Sequence, residues 1–300
     1  MEQQQRAMGS IVGLAVGDAL GAPFEFARGS QIPEPLPAFV LPWKGMPPGT
    51  WTDDTAMAMN LWTSLIDHGG ALDLGDVMDR HVAWLGTDPP DVGSQTRAAL
   101  TLAWEGVPEP ARTVFERRGP EVSAGNGSVM YCAPLGVVRA NEPAMLVDEA
   151  PALSRLTHWD GRCQTACLAV TSATAGLVRG EEPEASVRQA LELVADRECG
   201  EELEFLVGEA GRARPIDGPD LGFALFTAGI ALQVAGEGRD YEDGLRYVVG
   251  LGGDTDTNAS VAGALLGALH GLDGIPQQWL GMLVAGATVL QDAAALAQLV

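Results

Sequence analysis

Over most of this 300-residue chain apolar residues recur three and four positions apart, in residues 56–65, 77–85, 166–178, 221–234 and 261–269. No segment alternates in the two-residue rhythm of a half-buried strand. At 3.6 residues per turn such spacing gathers the apolar side chains of each segment into one stripe, which must be covered by a neighbouring element. An all-α fold is therefore expected. Short turns such as Asp67-His68-Gly69-Gly70 and Gly236-Glu237-Gly238 punctuate the segments, the rhythm of a compact orthogonal helical bundle. No linker rich in serine or charge divides the chain, so one domain is expected over residues 1–300.

Two regions depart from that rhythm. Residues 27–50 carry Pro33, Pro35, Pro37, Pro42, Pro47 and Pro48, which remove backbone donors and exclude helix, so an irregular loop or lid is expected there. Residues 9–22 and 260–271 are dense in alanine and glycine, which lets helix backbones approach closely. Core packing alone and an added role in framing a site both explain that density. The most apolar run, residues 259–290, is interrupted by His270, Asp273 and Pro276. That favours a packed helical hairpin over a membrane span, and no membrane is expected.

With 18 basic against 40 acidic residues, the formal net charge is -22. Such a chain repels phosphate backbones, and no basic stripe offsets it, so general nucleic-acid binding is disfavoured. An anionic small substrate would need a local positive source, and a bound divalent cation supplies one. Cys132, Cys163, Cys167 and Cys199 show neither a CxxC pair nor zinc-type histidine spacing and are read as buried, reduced thiols. The first residues lack the pattern of a secretory leader, so a cytoplasmic protein is expected.

Two clusters could carry chemistry: Thr52-Asp53-Asp54-Thr55, and Asp254-Thr255-Asp256-Thr257 after Gly250, Gly252 and Gly253. Taken alone, each is an ordinary helix cap with acidic first-turn residues. Yet both hold two carboxylates and a hydroxyl, more acid than one cap uses. Four carboxylates brought together would repel one another unless cations held them, and hard oxygen donors favour Mg²⁺, Mn²⁺ or Ca²⁺ over zinc. A two-metal site is the economical expectation, although spacing does not show that the clusters meet. Gly125-Asn126-Gly127-Ser128 precedes an expected helix from Val129, so its amides suit a diphosphate, or else form a tight turn with a serine cap. His158, at another helix entrance, is either a sugar-hydroxyl partner or a structural histidine.

Together these motifs resemble the ADP-ribosylglycohydrolase family, in order along nearly the whole chain. The residues that carry the resemblance are Gly13-Leu14-Ala15-Val16-Gly17-Asp18-Ala19-Leu20-Gly21-Ala22-Pro23-Phe24-Glu25-Phe26, then Gly49-Thr50-Trp51 with the first cluster. Asp91-Val92-Gly93, the Gly125 loop leading to Ala133-Pro134-Leu135-Gly136, Thr157-His158 and Gly252-Gly253 with the second cluster follow. The resemblance implies an all-α fold and a cleft with two divalent cations, Mg²⁺ or Mn²⁺, held by Thr52, Asp53, Asp54, Asp254, Asp256 and Thr257. It also implies that Glu25 lies near the metals on a mobile segment, that the loop of Gly125, Asn126, Gly127 and Ser128 binds the diphosphate, and that His158 contacts substrate. Asp91 corresponds to an aspartate implicated in catalysis in some members.

The implied activity is removal of ADP-ribose from a modified protein or small-molecule acceptor. Water, made more acidic by the cations and deprotonated by Asp54, Glu25 or Asp91, would attack the anomeric carbon. Two features depart from the family pattern: Tyr131-Cys132 stands where many members have arginine after the methionine, and Ala124 provides no aromatic face beside the glycine loop. Hydrolysis of another N-riboside or nucleoside, and a non-catalytic binder or structural protein, stay open as alternatives. Acceptor identity and oligomeric state are not read from this sequence.

Overall fold

The computed structural model describes residues 2–37, 39, 41–208 and 221–300; Ala38 and Val40 of the proline-rich segment lie outside the described residues. The protein is all-α, and the only β pairing among the described residues is three isolated bridges. In chain order the helices are α1 (Gln3–Gly21), α2 (Asp53–Asp67), α3 (Leu74–Leu85), α4 (Ser94–Trp104), α5 (Pro110–Arg118), α6 (Ala133–Val138), α7 (Leu146–Ser154) and α8 (Gly161–Arg179). They continue with α9 (Pro183–Val194), α10 (Gly200–Val207), α11 (Ala224–Gly236), α12 (Tyr241–Gly250), α13 (Thr255–His270), α14 (Gln277–Met282) and α15 (Gly286–Leu296). One hydrophobic cluster runs from Ala7 to Ala297, and a small satellite of Ala99, Ala111 and Val114 joins α4 to α5.

The centre of the fold is the pair α1 and α13, which are buried almost all round. Their contact explains the density of small residues. Gly9, Gly13, Gly17 and Gly21 recur every four positions on one face of α1, the spacing that aligns side chains along a helix. A Cβ added to Gly17 would lie 2.0 Å from the Ala259 carbonyl oxygen, and one on Gly13 would lie 2.3 Å from that of Gly263. Gly21 meets Thr255 and Gly9 meets Gly267, so the helices run antiparallel, and Thr255 donates its hydroxyl to the Gly21 carbonyl at 2.9 Å. The end of α1 is thereby held against the start of α13. Residues Gln3–Phe24 are long and apolar enough to cross a membrane by length and composition, but 89% of their apolar window is buried inside the protein.

α2 is fixed to this pair through Asp18. The Asp18 carboxylate accepts hydrogen bonds from the Thr52 and Thr55 amides and the Thr55 hydroxyl, at 3.0, 2.9 and 2.5 Å. Met57, Ala58, Leu61, Trp62 and Leu65 then bury one face of α2 in the core.

Three boundaries differ from the sequence reading. The helix expected from Val129 begins only at Ala133, because the Asn126 carbonyl accepts from both Val129 and Met130 and closes a turn. The segment expected over 221–234 begins at Ala224, since its first residues pair with the glycine turn: the Asn126 amide donates to Gly222 and the Ala224 amide to Ala124. The hairpin of 259–290 is broken into α13, α14 and the start of α15, the first break falling at Gly271 with φ of 72°. Among its described residues the proline-rich segment forms no α-helix, as expected, and holds one short 3-10 turn at Gly29–Gln31. The four cysteines are free, three of them buried and Cys199 partly exposed.

A carboxylate-lined cleft as the candidate active site

The N-termini of α2 and α13 open onto one cavity of about 290 Å³. Its lining includes Glu25, Asp53, Asp54, Asp91, Gly125, Asn126, Gly127, His158, Asp254, Asp256 and Thr257. The clusters touch at Asp54, whose Oδ2 accepts from the hydroxyls of Thr52 and Thr257 at 3.3 Å each. Its Oδ1 is buried without a partner. Thr52 caps α2 by accepting from the Asp54 amide, whereas the Asp254 side chain makes no cap bond. Asp254 instead accepts from Asn126 Nδ2 at 2.9 Å, which ties the glycine turn to the second cluster. Asn126 Nδ2 also donates to Thr227, which donates to Asn258. Asp256 accepts from the Thr257 amide at 3.0 Å.

These carboxyls sit in a site that disfavours their charge. Burial, and then the neighbouring carboxylates Asp91 and Asp18, push Asp53 up to about 7. Burial also holds Asp54 and Asp256 well above the carboxylate range, reinforced for Asp54 by Asp18 and for Asp256 by Asp254. Glu25 is raised by burial and by Asp91. Lys44, from the proline-rich segment, pairs with Glu25 at 3.5 Å and with Asp91 more closely. The Gly93 amide donates to Asp53 at 3.4 Å.

The opposite wall is the glycine turn with His158 and Arg118. A Cβ on Gly127 would lie 2.8 Å from His158 Cε1 and 2.9 Å from the Thr96 hydroxyl, so only glycine fits without displacing the imidazole. His158 Nδ1 pairs with the Thr157 hydroxyl at 2.9 Å, and burial lowers its pKa to about 3, leaving the ring neutral. Ser128 is turned away: its hydroxyl pairs with Ser154 in the core at 3.0 Å, so the side chain does not reach the cleft. Thr52 also lies outside this lining, reaching the site through Asp54.

Three contributors were given no role in the sequence analysis. Lys44 and Arg118 line the cleft, and Asp18, fully buried with a pKa raised by burial to about 6, organises the start of α2. The Arg118 guanidinium rests on Ser94, donating to its hydroxyl at 3.2 Å and its carbonyl at 3.0 Å, and has no carboxylate partner among the described residues. Asp18 alone had a signal, standing inside the Gly13 motif.

Fold and site together define a class: an all-helical protein whose acidic, oxygen-rich cleft faces a glycine turn. The family model described as ADP-ribosylglycohydrolase matches residues 1–300, and the chain belongs to that family. It is 31% identical to the ADP-ribosyl-[dinitrogen reductase] glycohydrolase of Rhodospirillum rubrum, across 93% of this chain and 90% of that protein. Identity to an ADP-ribosylarginine hydrolase of Serratia proteamaculans is 27%, covering 94% and 76% of the two chains. A solved structure titled ADP-ribosylglycohydrolase-related protein complex matches with a TM-score of 0.80 and 34% identity, over 99% of each chain.

Proposed function

We propose that this protein hydrolyses the bond joining ADP-ribose to an acceptor on a modified protein, with two divalent cations, Mg²⁺ or Mn²⁺, held in the cleft. One observation carries the reading: a single cavity joins both Thr-Asp clusters, Glu25 and Asp91 to the glycine turn and His158. The family and the names of the relatives support hydrolysis of ADP-ribose linkages.

The residues present fit cations. The donors are carboxylate and hydroxyl oxygens, the chemistry Mg²⁺ and Mn²⁺ take. Asp54 Oδ1 is buried without a partner, and Asp53, Asp54 and Asp256 are acids whose charge the site leaves unbalanced. Among the described residues no three acidic, histidine or cysteine side chains already close as a finished ligand set, so binding would draw the carboxylates together. Thr52, Asp53, Asp54, Asp254, Asp256 and Thr257 would be the ligands. Bound there, the cations would neutralise the cluster and supply Lewis-acid charge to the sugar and to water.

The chain's own groups do the rest. Free amides of the glycine turn orient the diphosphate remote from the reacting bond. Neutral His158 serves as a hydrogen-bond partner for the sugar. Asp54, Glu25 or Asp91 takes a proton from water as its oxygen joins the anomeric carbon, the glycosidic bond breaks, and the same carboxyl returns that proton to the departing acceptor. The test is ADP-ribose release from arginine-, serine- and nucleobase-linked substrates, by chelated protein with and without Mg²⁺ or Mn²⁺. Release should require a cation, and Asp256→Asn should reduce it by more than about 100-fold, beyond the scale of disturbing a ligand's outer partner, with helical circular dichroism retained. Cation-independent turnover, or a fully active folded Asp256→Asn protein, overturns the metal reading; no release from any acceptor overturns the activity.

A further inference from the structure

Helix α11 is buried on every side from Ala224 to Ala235 and carries one hydroxyl, that of Thr227. A threonine inside a helix can return its proton to a carbonyl one turn back, as Thr101, Thr171 and Thr174 do here. Thr227 sends it elsewhere. Its hydroxyl donates to Asn258 Oδ1 at 2.8 Å, so toward Asn126 it can only accept, and Asn126 Nδ2 donates to it at 3.0 Å. The second N–H of that amide goes to Asp254 Oδ2 at 2.9 Å. Asn258 stands one turn after Asp254, and its backbone N–H donates to the Asp254 carbonyl at 3.0 Å, which closes the circuit. Thr227 and Asn258 are both buried and neither lines the cleft.

We propose that Thr227 and Asn258 are positioning residues, which fix the Asn126 amide so that it holds the Asp254 carboxylate in place to receive a cation. The proposal rests on the function given above, in which Asp254 is a cation ligand. The Asp254 side chain makes no cap bond to its own helix, so the amide of Asn126 is the restraint that sets its direction. Without the Thr227 hydroxyl that amide keeps a single side-chain tie and can rotate away from Asp254. Buried polar networks of this kind hold a unique arrangement only while every member is satisfied. The same donor count decides what Asn126 shows to a ligand. With both N–H groups engaged, its side chain offers the cleft only the acceptor Oδ1. The glycine turn therefore meets a diphosphate with its backbone and not with this side chain.

The test reads cation affinity without turnover. Mn²⁺ alone is titrated by calorimetry into the whole chain stripped of cations, with helical circular dichroism as the measure of folding. Thr227→Val keeps the shape and removes the hydroxyl, and it should weaken Mn²⁺ binding by about 10- to 100-fold, the scale of losing an outer partner of a ligand. Thr227→Ser keeps the hydroxyl and loses a methyl group, so it should bind Mn²⁺ close to wild type, the reverse of what a packing role would give. A folded Thr227→Val with wild-type affinity, or a Thr227→Ser as weak as Thr227→Val, overturns the proposal. A second measurement needs no variant. By NMR, both side-chain amide protons of Asn126 in wild type should exchange slowly with solvent, because both are bonded; exchange as fast as that of an exposed amide overturns the proposal as well. A wild type that answers these variants as expected, yet releases ADP-ribose from no acceptor, overturns the proposed activity and keeps the role of Thr227. A wild type that binds no Mn²⁺ overturns the cation reading and this proposal together.

Discussion

One carboxylate oxygen of Asp54 accepts two threonine hydroxyls while the other, equally buried, accepts nothing. That asymmetry makes a simple cap an insufficient account of the cluster, because buried acceptors are ordinarily satisfied. The side of the cleft that carries the glycine turn has its own asymmetry. Of the two cations lining the cleft, Lys44 is paired with Glu25 and Asp91, whereas Arg118 has no carboxylate partner among the described residues. On the function proposed above, Arg118 would supply, from the end of α5, the charge that Tyr131 does not. Arg118→Gln should raise KM for an ADP-ribosylated substrate by roughly tenfold or more, the scale of a charge-assisted hydrogen bond, with kcat little changed; Arg118→Lys should recover part of the loss. A fall in kcat with unchanged KM would refute this assignment. The acidic clusters, the glycine turn and His158 were legible in the sequence because each stands in a local motif. Arg118 and Lys44 were not, because their place at the cleft is set by tertiary packing, and the inward turn of Ser128 depends on Ser154, 26 residues away.

Helix α1 presents the same lesson at the scale of an element. Its density of glycine and alanine is plain in the sequence, but the register that sets Gly9, Gly13, Gly17 and Gly21 against Gly267, Gly263, Ala259 and Thr255 belongs to the pair of helices. That register does more than pack a core: it brings Asp18, near the end of α1, and the start of α13 to the same place. Gly17→Val would set side-chain carbon against the Ala259 backbone, where even a Cβ would lie 2.0 Å from the carbonyl oxygen. Because backbone rather than a flexible side chain must give way, destabilisation should reach about 3 kcal/mol or more, the upper range for overpacking. Chemical denaturation would measure it, and a loss below about 1 kcal/mol would show that the helices are free to separate. The late start of α6 could not be anticipated for a related reason. The turn at 126–130 is closed by the Asn126 carbonyl and pinned by pairing with Gly222 and Phe223, a contact that hydrophobic spacing does not encode.

For the molecule as a whole, a net charge of -22 and a cleft of raised carboxyls act in the same direction on stability. Asp18 and Asp53 hold protons up to about pH 6 and 7 in the folded chain, while an unfolded aspartate releases its proton near 3.9. Asp54, Asp256 and Glu25 are shifted in the same sense. Between about pH 4 and 7 the native state therefore binds more protons than the unfolded state, and the stability of cation-free protein falls as pH rises through that window. His81 and His158 oppose this, since burial lowers both to about 3 and each favours unfolding as pH falls below its usual range. The five acids outnumber the two histidines, so the melting temperature of chelated protein should be lower at pH 7.5 than at pH 5. On the proposed function a cation would bind the ionised cluster, so excess Mg²⁺ or Mn²⁺ should raise the melting temperature more at pH 7.5 than at pH 5, a difference the histidines cannot produce. Asp256→Asn supplies the control, because it removes one buried acid without emptying the core: cation-free variant should melt above wild type at pH 7.5, and its gain on adding the cation should shrink. Equal gains at the two pH values, or a variant that keeps the full gain, would show that the raised carboxyls and the cation site are not the same groups.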